Sequence, residues 1–337
     1  MLVMNVTTEV ILCTFNGSVF IVDQIESILA QTKKVDKISI YDDLSSDDTF
    51  NKISEFIGNL SDSDQQIFNI EINSVNLGYA KNFSNAISQA TEDIIFLCDQ
   101  DDLWEPNKVA ILFDLIQQHD VDLAFSDGLL IDSKGQEICN STVLETYGLV
   151  SQKMGKFNNC AFRHLMKRNY INGAAAAIRR EAAQSALPLP CNMPHDYWLG
   201  IWCSIHKGVL VTDQTLYRYR QHEGNVIGIG GSNPLYILLG LWRYCDKPRE
   251  RELLIWQGVV DRISTLSCDS QTQIARNKLS WLSHVVPKQK TSWPRAYKIF
   301  KSILNSNYRR FSPKYSFLRD FFSLVRGGES SSVGIGR

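Results

Sequence analysis

The stretch Ile94-Ile95-Phe96-Leu97-Cys98-Asp99-Gln100-Asp101-Asp102-Leu103-Trp104 carries three carboxylates within four residues. Like charges packed so closely repel one another unless a cation compensates them. Hard divalent ions such as Mg²⁺ and Mn²⁺ take oxygen ligands, and Mg²⁺ is commonly shared with substrate phosphates. The apolar run before the acids reads as a buried parallel strand. Glu105-Pro106 and the amphipathic run behind it predict a helix from about Trp104 to His119, with Pro near its first position. The acids then belong at the carboxyl edge of a sheet, where open α/β sheets place their ligands. A plainer reading makes Asp101 or Asp102 the cap of that helix, but a cap needs one acid, not three.

Five other places carry usable chemistry. Thr14, followed by Phe15-Asn16-Gly17, ends a first apolar run. Asp42-Asp43-Leu44-Ser45-Ser46-Asp47-Asp48-Thr49 follows a second; an acid there can accept from an imide N–H or a ribose hydroxyl, or simply open a helix. In Asn76-Leu77-Gly78-Tyr79-Ala80-Lys81-Asn82, Gly78 allows close backbone approach and Lys81 can meet a phosphate. An ordinary left-handed turn would explain the same residues. Pro194-His195-Asp196-Tyr197-Trp198-Leu199 puts an acid at the start of an apolar helix, as a base or as a cap. Arg218-Tyr219-Arg220-Gln221-His222-Glu223-Gly224-Asn225 places His222 at a strand end, as a ligand or a structural histidine.

Alternating elements must position these groups. Strands are expected at Glu9–Thr14, Lys37–Tyr41, Ile67–Ile72, Ile94–Asp99 and Asp122–Ser126. Between them, Ile21, Ile25, Ile28 and Leu29 share one helical face, as do Ile53, Phe56, Ile57 and Leu60, and residues 79–90 form a further helix. This alternation implies right-handed βαβ units and a largely parallel sheet, an α/β fold. After that, Asp127-Gly128 and Lys134-Gly135 read as hairpin-type turns around Leu129-Leu130-Ile131. Residues 169–178 are a small-residue run, 196–206 a helix and 209–219 one or two strands. From Asn233-Pro234 onward the pattern is helical, at about 235–246, 249–267, 271–286, 293–305 and 313–325. The expected domains are residues 1–232 for the catalytic sheet, 233–326 for a helical region, and 327–337 for a Gly/Ser-rich disordered tail.

Bulk properties narrow the class. The 337 residues carry a formal net charge of −1, so no global field favours nucleic acid. The 8 cysteines form no CxxC pair and read as reduced, buried small side chains of a cytoplasmic protein. No secretory signal is legible at Met1–Glu9, and no uninterrupted apolar run reaches the ~18–20 residues of a membrane span. The Gly228-Ile229-Gly230-Gly231 run lacks the strand before it that a dinucleotide loop requires. From Pro287 to Arg326 there are ten basic residues and one acid, Asp320, interleaved with aromatics such as Tyr297, Phe300 and Phe311. That pattern suits an anionic membrane surface, on the inner face of a plasma membrane, an RNA, or a solvated face over a helical core.

Taken together, Thr14-Phe15-Asn16-Gly17, Asp42-Asp43 with Ser45-Ser46-Asp47-Asp48-Thr49, Asn76-Leu77-Gly78, Asp99-Gln100-Asp101-Asp102-Leu103-Trp104 and His195-Asp196 resemble the family 2 glycosyltransferases with the GT-A fold, over about residues 8–230. The Asp-Gln-Asp-Asp-Leu-Trp run and the Tyr219–Asn225 segment look most like bacterial rhamnosyltransferase-type members, which build O-antigens and other surface polysaccharides. The resemblance implies a GT-A-type, mostly parallel Rossmann-like sheet flanked by helices. It implies an inverting transfer of a sugar such as rhamnose from a nucleoside-diphosphate donor to a saccharide or polyprenyl-linked acceptor, with Mg²⁺ or Mn²⁺. Thr14, Asn16, Asp42, Asp43, Asn76, Gly78, Lys81 and Asp99 would then line the nucleotide pocket. Asp101 and His222 would meet the metal and Asp196 would be the base. Gly173, Trp104 and His195 would lie toward the acceptor. Leu44 departs from the family pattern, in which Gly commonly follows the paired acids. Two other classes compete: a non-catalytic scaffold of a polysaccharide assembly complex, and a haloacid-dehalogenase-like phosphatase, whose Asp-x-Asp is normally followed closely by Thr or Val.

Overall fold

Short apolar runs make the parallel strands that begin the sheet: β1 (Thr8–Thr14), β2 (Lys37–Asp42) and β4 (Ile94–Asp99), largely buried on both faces, and β3 (Phe68–Ile72), the part-exposed edge strand. The computed structural model describes residues 6–190, 193–222, 249–266, 269–285 and 293–312. Helices α1 (Ile21–Leu29), α2 (Thr49–Gly58), the short α3 (Asp62–Gln65) and α4 (Tyr79–Gln89) connect these strands. Ile21, Ile25 and Ile28 of α1 are buried on one face, as their spacing predicts.

Further along lie β5 (Leu103–Trp104), α5 (Lys108–His119), β6 (Leu123–Ile131), α6 (Val143–Thr146), α7 (Ser151–Asn159), α8 (Ala161–Leu165), β7 (Ala176–Arg179), α9 (Arg180–Ser185), α10 (His195–Ile205) and β8 (Val209–Arg220). The eight strands form one sheet in the order β3-β2-β1-β4-β7-β6-β8-β5. β7 runs antiparallel to both β4 and β6, and β5 antiparallel to β8, so the remaining six strands share one direction. The chain leaves β1 toward β2 and β3 and returns to β1's other side as β4. That reversal opens a crevice at the carboxyl ends of β1 and β4, where ligands of such sheets bind. Register places Asp42 beside Thr14 and Asp99 beside Cys13 at that edge.

Two local expectations are corrected. Trp104 does not begin a helix: Leu103 and Trp104 pair with Arg218 and Tyr217 as β5, and α5 starts at Lys108. The Glu105 N–H donates to the Leu216 carbonyl and Gln31 Nε2 to the Glu105 carbonyl, so this segment has partners without a helix. Asp127-Gly128 is not a turn either; it is a register shift inside the continuous strand β6. A Cβ on Gly128 would lie 2.4 Å from the Tyr217 ring, which occupies its place. The Lys134-Gly135 turn is present, with Gly135 at φ +81° and its N–H on the Asp132 carbonyl.

The chain divides into two compact units, the first comprising Met1–Leu165, Asn169–Leu189 and Met193–Ile229, the second Met166–Arg168, Pro190–Asn192 and Gly230–Arg337. Within the second lie α11 (Arg249–Ile263), α12 (Asp269–Val285), α13 (Trp293–Leu304) and α14 (Asn307–Phe311). There Trp281 stacks on Phe311, and buried Lys278 donates to the Met166 carbonyl at 2.6 Å and pairs with Glu252. Among the described residues no helix is long and apolar enough to cross a membrane. The helices expected at 235–246 and 313–325, the 228–231 glycines, the Glu223-Gly224-Asn225 end of the His222 motif and the tail from Gly327 lie outside the described residues.

Candidate active site

The acid loop turns between β4 and β5, so its carboxylates are held by the sheet on both sides. Asp99 is half-buried; burial, then the charges of Asp101 and Asp196, push its pKa up to about 7. Asp102 is fully buried. Its Oδ1 accepts from the Arg220 N–H at 3.0 Å, while its Oδ2 has no partner among the described residues. Burial and the two neighbouring acids raise the Asp102 pKa well above the carboxylate range. Asp101 Oδ2 lies 2.8 Å from His222 Nε2, joining the acid loop to the end of β8.

Two buried cations brace this loop. Arg220 Nε donates to the Asp101 carbonyl at 2.8 Å and Nη1 to the Ser133 carbonyl at 3.1 Å, with Phe20 packed against the guanidinium. Lys108 donates to the Ala174 carbonyl, and its Nζ lies 3.6 Å from the Trp104 ring centroid. Burial brings the Lys108 pKa down to about 7 against the pull of the nearby acids.

No group of three or more His, Cys, Asp or Glu side chains among the described residues is arranged to hold a metal by itself. Asp101 and His222 instead offer one carboxylate and one imidazole side by side. The carboxylate suits a Mg²⁺ or Mn²⁺ ion whose other ligands are water and substrate phosphate oxygens, and the imidazole favours the transition metal Mn²⁺ of the two. Crowded carboxylates with raised pKa values beside it fit a site that gains a positive charge on ligand binding. The residues present therefore fit the ion.

Toward the expected nucleotide pocket, Gln100 clamps two strand ends. Its Oε1 accepts from Thr14 Oγ1 at 2.6 Å and from the Phe15 N–H at 2.7 Å, and its Nε2 donates to the Phe15 carbonyl. Gly17 leaves room for this clamp, since a Cβ there would fall 2.4 Å from Gln100 Oε1. Asn16, at φ +50°, receives Ser46 N–H on its Oδ1. Asp42 accepts from the Ser45 N–H, and Asp43 takes the Leu77 and Gly78 N–H groups on its two oxygens, each at 2.8 Å. Asn76 Nδ2 donates back to the Asp43 carbonyl at 3.0 Å. Thr14, Asp42 and Asp43 are buried, and their side chains hold neighbouring loops. Asn16, Asn76, Gly78 and Lys81 are exposed. Leu44 keeps the left-handed backbone, φ +63°, despite its side chain.

On the opposite side, Asp196 lies in the first turn of α10. Its Oδ1 accepts from the Tyr197 N–H at 2.6 Å and from Asn169 Nδ2 at 3.1 Å, and the Gly173 backbone N–H also contributes. Burial raises its pKa to about 6, against the pull of those bonds. Its charge in turn acts on Asp99, which links the α10 acid to the acid loop.

The three acceptor-side expectations fare differently. Gly173 sits against this acid; a Cβ there would lie 2.8 Å from His195 Nε2 and 3.8 Å from Asp196 Cβ. His195 is buried, stacked on Phe83 at 3.9 Å, with neither ring nitrogen partnered among the described residues, and burial lowers its pKa to about 3. Trp104 is buried beneath Lys108. Both rings are packed inside the fold. The sequence reading missed Gln100, Lys108, Asn169 and Arg220 as site residues. Gln100 and Arg220 stand inside quoted motifs, but no spacing signal marks Asn169 or Lys108.

The family model for glycosyl transferase family 2 matches residues 9–185. A dTDP-rhamnosyl transferase, RfbG, of Shigella flexneri is 39% identical over 242 residues, covering 69% of this chain and 79% of that protein. An uncharacterized glycosyltransferase of Nostoc sp. is 30% identical over 113 residues, 34% of each chain. An uncharacterized protein of Mycobacterium tuberculosis is 22% identical over 227 residues, 65% of this chain and 60% of its own. The chain thus spans between about a third and 60% of the length of these last two relatives. Among solved structures, S. aureus TarS with UDP-GlcNAc superposes at TM-score 0.53 and 14% identity, over 94% of this chain and 89% of that one. The mannosyltransferase PcManGT of Pyrobaculum calidifontis, with GDP-Man and Mn2+, gives 0.52 and 12%, over 96% and 88%. At those identities the two structures speak for the fold alone.

Proposed function

Because the chain belongs to glycosyl transferase family 2, we propose that it moves a sugar from a nucleoside-diphosphate donor to a saccharide or lipid-linked acceptor in polysaccharide synthesis, with inversion at the anomeric carbon. The Shigella relative's name makes dTDP-rhamnose the first donor to test. Family membership sets the phosphatase reading aside. One observation carries the proposal: Asp99, Asp101 and Asp102 follow one another at the end of β4, beside β1, and the α10 acid Asp196 lies near enough for its charge to act on Asp99.

In this reading Asp99 accepts from the ribose, Asn16, Asn76 and Gly78 border the nucleoside, and Lys81 meets a phosphate. Thr14, Asp42 and Asp43 act indirectly, by fixing those loops. Asp101 and His222 hold the metal, and Arg220 fixes their mutual position. A bound Mg²⁺ or Mn²⁺ supplies Lewis-acid stabilisation of the negative charge growing on the leaving diphosphate. Asp196 takes the proton from the acceptor hydroxyl as that oxygen attacks. Asn169 and the Tyr197 N–H hold Oδ1 of Asp196, which fixes the plane of the carboxylate and the direction in which it accepts a proton. A single displacement by this base inverts the configuration, and no covalent sugar–enzyme intermediate is required.

Calorimetric titration of dTDP-rhamnose into the full-length protein with Mn²⁺ tests the metal and nucleotide part. Asp101→Asn should abolish metal-dependent binding without changing the unfolding temperature. Unchanged affinity in that variant would remove Asp101 from the proposal.

A further inference from the structure

Helix α13 buries one face and exposes another. Ile299 and Ser302 are buried, whereas Tyr297, Phe300, Ile303 and Leu304 are 64%, 59%, 40% and 67% exposed. Of the thirteen exposed large hydrophobic residues described, these four stand on one helix of twelve residues, so they form a patch and not scatter. At 100° per residue they fall into one continuous stripe. Lys301 and, beyond it, Lys298 are exposed on the flank of the stripe next to Tyr297. From Val286 to Arg319 the chain has nine lysines and arginines and no acid, although the whole chain has a formal net charge of −1. The basic charge is therefore local to this segment.

We propose that this face of α13 docks on the surface of an anionic lipid bilayer. Tyr297, Phe300, Ile303 and Leu304 enter the boundary between headgroups and acyl chains, and Lys298 and Lys301 reach the headgroups. Apolar and aromatic residues on one side with lysines beside them are the pattern of a helix lying in a membrane interface. At about 1.5 Å per residue the helix is about 18 Å long, too short for a hydrocarbon core of ~30 Å, so it lies on the bilayer and does not cross it. Lysines bordering the apolar stripe also argue against a protein partner, because lysine is depleted at protein interfaces. A lysine at a bilayer instead keeps its stem in apolar surroundings and its charge at the headgroups. The proposal rests on residues of the second unit alone and holds whether or not the transfer chemistry does.

Co-sedimentation of the full-length protein with vesicles tests it. Vesicles of phosphatidylcholine with phosphatidylglycerol should bind the protein at low salt, and phosphatidylcholine alone should bind it far less. Binding should weaken as salt rises, since the Debye length is about 10 Å at 0.1 M. The pair Phe300→Asp and Leu304→Asp should lose at least tenfold in partition. The pair Lys298→Glu and Lys301→Glu should lose a similar amount or more, each lysine near an anionic surface contributing about fivefold. The lysine pair decides the matter if the apolar pair aggregates. Unfolding temperatures equal to wild type would show that the loss is not one of folding. Four results would each overturn the proposal: no vesicle binding by the wild type, equal binding by wild type and both pairs, salt-insensitive binding to neutral vesicles, or binding that emerges only after residues 313–337 are removed. A wild-type dimer split by Phe300→Asp, with no response to lipid, would assign the face to a second copy instead.

Discussion

Replacing Asn169 with alanine isolates one hydrogen bond to the proposed base. Asn169 Nδ2 donates to Asp196 Oδ1 at 3.1 Å, and its own Oδ1 receives the Ile171 N–H at 3.0 Å, so the amide is held in one orientation. Burial places the Asp196 pKa at about 6, and this bond is one of those keeping it from rising further. A hydrogen bond to a charged group contributes about 1.5–3 kcal/mol. Three backbone donors, the N–H groups of Tyr197, Gly173 and Asp196 itself, remain on the carboxylate, which favours the low end of that range. At about 1.36 kcal/mol per pH unit, that raises the base by roughly one unit. The sign follows from the chemistry: the carboxylate form abstracts the proton, so activity rises with pH through its pKa. The acidic limb of kcat/KM should therefore move from about pH 6 to about pH 7 in Asn169→Ala, read at saturating Mn²⁺ in both proteins. Near pH 5.5 the variant should lose about tenfold more than above pH 8, while the calorimetric affinity for the sugar donor stays unchanged. A limb that stays at the wild-type position would refute the reasoning, whatever happens to the plateau.

Other perturbations follow from single contacts. Gly17→Ala puts a Cβ 2.4 Å from Gln100 Oε1 and 2.9 Å from Thr14 Oγ1. Displacing that flexible clamp should weaken sugar-donor binding by about tenfold, the equivalent of one or two hydrogen bonds, with little change in unfolding temperature; unaltered affinity would show that the clamp does not shape the pocket. Leu44 pays for a left-handed backbone with an exposed side chain. Leu44→Gly should therefore be neutral or stabilising by up to about 1 kcal/mol in thermal unfolding, the steric relief exceeding the added chain entropy. A clear loss of stability there would mean that the leucine side chain makes a contact of its own.

Legibility in the sequence followed how local each signal is. The strand at Ile94–Asp99 and the acids behind it lie in one continuous segment, so their placement at a sheet edge could be read directly. The fold class followed from alternating strands and helices for the same reason. Trp104 was misplaced because its two-residue strand forms only when β8, more than a hundred residues later, supplies Tyr217 and Arg218. Asp127-Gly128 has turn chemistry, yet the glycine serves to admit the Tyr217 ring. Sequence also gives no measure of which polar groups are already occupied. Nothing in the sequence tells that both Asp43 oxygens lie on the Leu77 and Gly78 N–H groups. Asn169 meets Asp196 across 27 residues with no periodicity to announce it.

Transfer by Asp196→Asn tests the account most directly. The substitution keeps the size of the side chain and the start of α10 but removes the group that takes the proton. The account predicts wild-type affinity for the sugar donor and metal, with transfer reduced by roughly 10²–10⁴. Transfer at a near wild-type rate would contradict it and place the base elsewhere in the site.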